Sequence, residues 1–465
     1  MRHAPPPRQT VNIQTTDPHA NRKGLILAVN AGSSSLKISL YRNIENGTSH
    51  SQITSEPVEL LLVSNITNIS APPASFSFTL GAHHTGHQVK KEPVDSIRDH
   101  TSAFAHFLDY LKDEAKIDRS EIVHVCHRVV HGGDYFEPVV ITSESYDHIE
   151  RLSDLAPLHN GAALSVIKTC IEILPSATSI AYFDTSFHRS MPPYIASYAI
   201  DQTIAKKRGL KKYGFHGLSY AYILRAVAAY LKRDPNTLNL IVMHLGSGAS
   251  VCAIKDGKSL DTSMGLTPLT GLPGATRAGG VDPSLIFHYT NKAGRMSHDR
   301  SQAVNVHVTQ AEEILNKKSG WKAITGTTDF GEVVKNMKTN AEKVAQGQAT
   351  EDEAKWAMAF NLFTDRVIDF VGAYYLKLEG KVDAVVFSGG IGERSVELRE
   401  FVMGKLACVG ISFDKDSNQV VDEKGGEVVE IGKPEDERKV LVCRTDEQLE
   451  MARECFFERA FWEES

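Results

Sequence analysis

At 465 residues the chain is long enough for more than one domain, and its 42% hydrophobic and 23% charged residues are ordinary for a globular protein. A formal net charge of −6 argues against a dedicated nucleic-acid binder, and no apolar run is long enough to span a bilayer. The cysteines Cys126, Cys170, Cys252, Cys408, Cys443 and Cys455 are scattered without a CxxC pair, which favours free thiols and a reducing compartment.

Residues 1–23 are rich in Pro, Gln, Thr and Asn and lack an apolar core segment, so they read as a disordered N-terminal extension rather than a secretory signal. The stretch Leu25–Tyr41 follows, an apolar run and a half-apolar run around Asn30, Gly32, Ser33, Ser34 and Ser35. Two strands joined by a small hydroxyl-rich turn is the direct reading. Such a turn lets the backbone approach a ligand and aims N–H and O–H donors at it, which suits phosphate oxygens. Lys37 adds a positive charge just beyond. An ordinary hairpin with a polar tip fits equally well, and the spacing matches neither a Walker loop nor GxGxxG.

Asn43–Pro93 reads as an edge hairpin or two with exposed loops, and His83, His84 and His87 as solvated loop histidines, since no carboxylate or cysteine sits at ligand spacing. Ser102–Lys116 has helical spacing. Ile122–Gly133 is an apolar strand carrying Arg128 into a double glycine; an arginine there is either structurally paired or held for an anionic ligand. Asn160 is placed to cap a helix over Ala162–Ile173. The strand from Ser179 ends in Asp184, where α/β folds keep their chemistry, although a helix-capping aspartate would look the same. A glycine-bounded turn carries His216 into a helix over Leu218–Leu231.

Leu240–Ile254 repeats the opening pattern, strand, Gly/Ser turn, strand. A glycine-punctuated loop from Met264 to Gly280 holds one arginine, Arg277, and has little core-forming content. Ala354–Leu378 is an amphipathic helix whose aromatic stripe reads as core or subunit interface. Ala384–Glu393 is a third apolar strand ending in a glycine cluster, and Val440–Glu447 is a strand followed by an acidic helix start. Two phosphate hairpins followed by a late glycine turn resemble the actin-like ATPase and sugar-kinase architecture. That resemblance implies an α/β fold of two actin-like (ribonuclease H-like) domains, mixed sheets flanked by helices, with the active site in the cleft between them.

Eight ordered motifs narrow the resemblance: Asn30–Lys37, His127–Gly133, Phe183–His188, Tyr213–Gly217, His244–Ser250, Met264–Leu269, Ser388–Glu393 and Thr445–Glu447. Together they resemble the acetate kinase family. The resemblance implies reversible, Mg²⁺-dependent phosphoryl transfer from ATP to acetate by a homodimer, while the thiols, the charge and the lack of a long apolar run are the grounds for expecting a cytoplasmic protein without nucleic-acid or membrane partners. It implies one domain over 24–184 completed by 447–465, and a nucleotide-binding domain over 185–446. Carried onto this sequence, Asp184, Arg128, Arg277 and His216 match the catalytic cluster. Arg128, Val130, Leu158, Phe215 and Pro268 match the acetate pocket. Asn30 and Glu447 match metal-linked positions. Lys37, Ser33, Ser35, His244, Leu245, Gly246, Ser247, Gly248, Asp329, Phe330, Gly331, Gly390, Ile391, Gly392, Glu393 and Arg394 match the nucleotide and phosphate contacts.

Acetate is already ionised at neutral pH, so Asp184 is expected to orient Arg128 or the magnesium shell rather than remove a proton. Ser247, Gly331 and Arg394 depart from the commoner family pattern, all on the nucleotide side. Pyrophosphate in place of ATP, propionate or butyrate in place of acetate, and an actin- or chaperone-like ATP-driven binding protein are the alternatives at this point.

Overall fold

The first apolar run forms strand β1 (Leu25–Gly32) and the second β2 (Ser35–Asn43), joined through Ser33 and Ser34 as expected. The structure, a computed structural model, describes residues 23–44, 56–81, 88–152, 157–290, 292–295 and 308–462, with the backbone alone at 157–159. Residues 1–22 and His83, His84 and His87, on which two sequence expectations rest, lie outside them.

Strands β3 (Val58–Thr67), β4 (Ala74–Leu80) and β5 (Val89–Val94) extend the opening hairpin, and β6 (Ile122–Val129), β7 (Val139–Val140) and β8 (Thr178–Phe183) complete a sheet ordered β5-β4-β3-β2-β1-β6-β8-β7. A second sheet is built from β9 (Leu240–Leu245), β10 (Ala249–Lys255), β11 (Lys258–Thr262), β12 (Ala384–Ser388), β13 (Val428–Glu430) and β14 (Lys439–Cys443), ordered β11-β10-β9-β12-β14-β13. The two sheets repeat one plan. An antiparallel meander (β1–β3, β9–β11) is joined on its first strand by a parallel strand (β6, β12) and then by another (β8, β14). An antiparallel edge strand, β7 or β13, closes each. Only β4 and β5 have no counterpart.

The stretch read as an edge hairpin or two does form the β5-β4-β3 edge of the first sheet, and its strands are better packed than their polar composition suggests. Phe76 and Phe78 alternate onto the inner face of β4 and are fully buried with Phe104 and Phe107 of the helix His100–Asp113. Burying each such ring contributes about 1.5–3 kcal/mol. In the helix Glu351–Lys377, Phe360, Phe363, Val367 and Tyr374 pack under the second sheet, so its stripe is core.

Two helices lie where the sheets meet. Glu447–Phe457 packs on the first sheet through Met451, Ala452, Cys455 and Phe456, although it follows β14 of the second. Gly217–Leu231 packs on the second sheet, and Leu449 touches the clusters on both sides. All six cysteines are free, and Cys408 alone is exposed.

One expectation is corrected. Asn160 is not a helix cap: the helix runs from Pro157 to Ile173, and proline's fixed φ and missing N–H suit the first turn. Fully buried Asn160 instead clamps the backbone of His131, accepting from its N–H at 3.0 Å and donating to its carbonyl at 2.9 Å.

Candidate active site

The parallel strands β6 and β8 deliver Arg128 and Asp184 to the same end of the first sheet. The fully buried Asp184 carboxylate accepts from Arg128 Nε at 3.1 Å and Nη2 at 2.6 Å, a two-pronged grip. Arg128 Nη1 donates to Asn30 Oδ1 at 3.2 Å and lies 3.2 Å from Glu447 Oε2. Asn30 Nδ2 donates to Glu447 Oε2 at 2.9 Å, and Ser219 Oγ to Glu447 Oε1 at 2.6 Å. Burial works against the charge on Arg128, but Asp184 and Glu447 outweigh it and hold the guanidinium protonated. Burial pushes the Asp184 carboxyl up against the pull of Arg128. Glu447 is held below its usual range: burial opposes this, and Arg128 and His244 overcome it.

Two carboxylates flank one guanidinium, and Lys37 acts on Glu447 from β2. The carboxylate of Glu447 and the amide oxygen of Asn30 are hard donors of the kind a divalent cation takes together with phosphate oxygens and water. No cluster of three or more His, Cys, Asp or Glu able to hold a metal occurs among the described residues.

Arg277 is different in kind. Its one side-chain hydrogen bond among the described residues is from Nη1 to the Pro268 carbonyl at 3.4 Å, and no carboxylate there pairs with it. Burial, and then Arg128, push its guanidinium down. The turn after β9 explains its placement. A Cβ built on Gly248 would lie 3.0 Å from Arg277 Nη1 and 3.8 Å from His216 Nε2. Glycine at this turn therefore keeps open a space onto which a guanidinium and an imidazole both face.

His216 caps the helix Gly217–Leu231 with φ +60°, and Gly217 N–H donates to the Asp184 carbonyl at 3.0 Å, tying the turn to the Arg128 pair. Its ring lies 4.4 Å from that of His244, and burial, His244, Arg128 and Arg277 together push it well below the usual histidine range, so it is neutral. Beside it Phe215, Tyr213 and Met264 form a small apolar cluster with Val130 and Leu266, and Pro268 is buried. Leu158 is in the helix from Pro157, but its side chain lies outside the described residues.

Across the second turn a cavity of about 680 Å³ is lined by Gly246, Ser247, Asp329, Phe330, Gly331, Gly390, Ile391 and Arg394, with Trp321 and Val334. Gly389 joins β12 directly to a short helix at φ +73°, and a Cβ there would strike the Leu245 carbonyl at 2.6 Å, so β9 and the glycine cluster close on each other. Leu245 is fully buried core.

A family model described as "Acetokinase family" matches residues 25–453. The chain belongs to the acetokinase family. It is 47% identical over 437 residues to a protein of Emericella nidulans named "Probable acetate kinase", covering 92% of this chain and 97% of that one. Among solved structures it is similar to Porphyromonas gingivalis acetate kinase, at 31% identity and TM-score 0.72, covering 93% of this chain and 98% of that one. It is similar also to a propionate kinase from Francisella tularensis, at 34% identity and TM-score 0.74, with the same coverage.

In this acetokinase fold, Asn30, Arg128, Asp184, His216, His244, Gly248, Arg277 and Glu447 gather at one place. Ser33 and Lys37 stand exposed on the first hairpin, with Ser35 half-buried. Gly392 and Glu393 do not line the cavity beyond the second turn. Gly392 is buried, its carbonyl bonded by Arg399, and the Glu393 carboxylate accepts from backbone N–H groups of Thr445 and Gly389. Sequence reading missed Ser219, which orients Glu447, and His188, which donates from Nε2 to the Phe215 carbonyl at 2.9 Å. Ser219 lies just beyond the Tyr213–Gly217 motif and His188 ends another, so nearness to a motif was the signal available.

Proposed function

We infer that this chain transfers the γ-phosphoryl group of ATP reversibly to acetate, giving acetyl phosphate and ADP. The observation that carries the reading is Arg277: a half-buried guanidinium without an anionic partner among the described residues, facing with His216 the space over a glycine turn. One acetate oxygen forms a bond to the γ-phosphorus as the bond to the β–γ bridging oxygen breaks and ADP leaves. Acetate needs no base. Arg277 and His216 offer donors to the charge spread over the equatorial oxygens. Arg128, its fork largely taken up by Asp184, Asn30 and Glu447, acts as a fixed charge at the acetate side. Val130, Phe215 and Pro268 offer the methyl group an apolar wall. Mg²⁺ would be held through Glu447 and Asn30 and would neutralise polyphosphate charge when bound.

The cavity beyond the second turn supports a nucleoside donor, since pyrophosphate has no use for one. The propionate kinase of similar fold keeps propionate as the second reading, because one methylene is worth only about 1–3 kcal/mol. The domain division at 184 and 447 is supported by the helix Glu447–Phe457 returning to the first sheet after β14. A homodimer is supported by Tyr194, Phe287, Tyr289 and Leu376, each 64–80% exposed. The free cysteines are in keeping with a cytoplasmic setting, and no described helix is long and apolar enough to cross a membrane.

Trapping acetyl phosphate with hydroxylamine tests the function. Turnover is expected with ATP, acetate and Mg²⁺, and not when pyrophosphate replaces ATP. Turnover with pyrophosphate alone would overturn the donor assignment, and none with any donor would overturn the function.

A further inference from the structure

We propose that Ser250, held in turn by the Tyr220 phenol, is a positioning residue that fixes the His216 imidazole with its proton on Nε2, directed at the transferring group; this rests on the reading of His216 as a donor to that group. Ser250 and Tyr220 are both fully buried. Ser250 Oγ lies 2.8 Å from His216 Nδ1 and is hydrogen-bonded to the Tyr220 hydroxyl. Among the described residues, neither hydroxyl has another partner.

Proton counting then decides the tautomer. Tyr220 donates to Ser250, Ser250 donates to Nδ1, and the ring proton is left on Nε2; every hydroxyl proton has an acceptor. With the proton on Nδ1 instead, Nδ1 donates to Ser250. Either the serine or the tyrosine proton then has no acceptor among the described residues although both hydroxyls are fully buried, which buried polar groups avoid.

The frame around the ring is fixed. Tyr220 is one turn along the helix from His216, and its N–H donates to the His216 carbonyl at 3.0 Å. Ser250 is on β10 opposite His244 on β9, so the relay joins the helix to the second hairpin. A carbonyl only accepts, so His188 donates from Nε2 to Phe215, immediately before His216, and its Nδ1 takes the Ser259 hydroxyl proton at 2.7 Å. The same arrangement, hydroxyl to Nδ1 and proton on Nε2, thus occurs twice around this turn. The neighbouring cations Arg128 and Arg277 oppose a second proton on His216.

The test is nitrogen NMR of full-length protein labelled with ¹⁵N-histidine, the His216 signals assigned by their loss in His216→Gln. The wild type is expected to show a protonated Nε2 and a bare Nδ1. Ser250→Ala is expected to give a mixture of tautomers and a kcat lowered by about 10–100-fold, by analogy with groups that orient metal-bound histidines, with KM for ATP little changed. Ser250→Thr, which keeps the hydroxyl, is expected to restore both signals and rate. A wild-type ring protonated on Nδ1 would overturn the proposal. So would Ser250→Ala with wild-type tautomer and kcat. Full turnover in His216→Gln would instead overturn the donor reading beneath it, with the tautomer measured independently.

Discussion

Arg277→Ala is expected to lower kcat by about a hundredfold or more, as loss of a preorganised charge-stabilising donor does elsewhere, while the fold keeps its stability. Most buried charged residues cannot separate the two effects, because removing one partner strands another. Arg277 has no carboxylate to strand among the described residues, and the charge of Arg128 repels it. Its removal relieves that repulsion and vacates one hydrogen bond to the Pro268 carbonyl. Arg277→Lys keeps the charge but loses the planar fork and is expected to recover only part of the rate. Steady-state kinetics and urea denaturation on the same preparation check both halves. A variant with near-normal kcat would remove Arg277 from the chemistry, and a much less stable one would make it a structural residue.

Arg128→Ala should fail in the opposite way, losing both activity and stability. Asp184, fully buried, gives both carboxylate oxygens to Arg128, and Glu447 faces the same guanidinium. Without it two carboxylates confront each other with no cation between them. Breaking a buried pair from one side costs about 3–5 kcal/mol. Adding Asp184→Asn to Arg128→Ala removes one stranded charge and is expected to restore part of the urea midpoint without restoring turnover. A single variant as stable as the wild type would show that the pair contributes no structural energy.

Features written in contiguous residues were legible in the sequence. The apolar runs around Gly32 and Gly248 announced both hairpins, because strand and turn preferences are local. Arg128 in an apolar strand and Asp184 at a strand end were each read two ways, and the contact between them, the aspartate holding the arginine, was not written in either segment. Contacts closed by topology were not legible. Asn30 meets Glu447 across 417 positions, and that distance is bridged only because the chain returns from the second sheet to the first. Polar residues with local uses were misjudged for a related reason. Asn160 is a good cap by type, but a partner distant in sequence, His131, claims its amide. Glu393 ends a glycine cluster and still turns toward backbone N–H groups of Thr445 and Gly389. The repetition of one sheet plan was visible only in its hairpins, since β6, β8, β12 and β14 carry no mark of which strand each will join.

On the proposed function, cationic and N–H donors from both sides of the cleft are preorganised around a planar phosphoryl group between ADP and acetate. Calorimetric binding of a planar fluoroaluminate, which mimics that group, tests this arrangement directly. Wild-type protein should bind it tightly only when ADP, Mg²⁺ and acetate are all present, and Arg277→Ala should lose that binding while still taking ADP. Equal binding in wild type and variant, or tight binding that ignores acetate, would show that the donors are not arranged around that group.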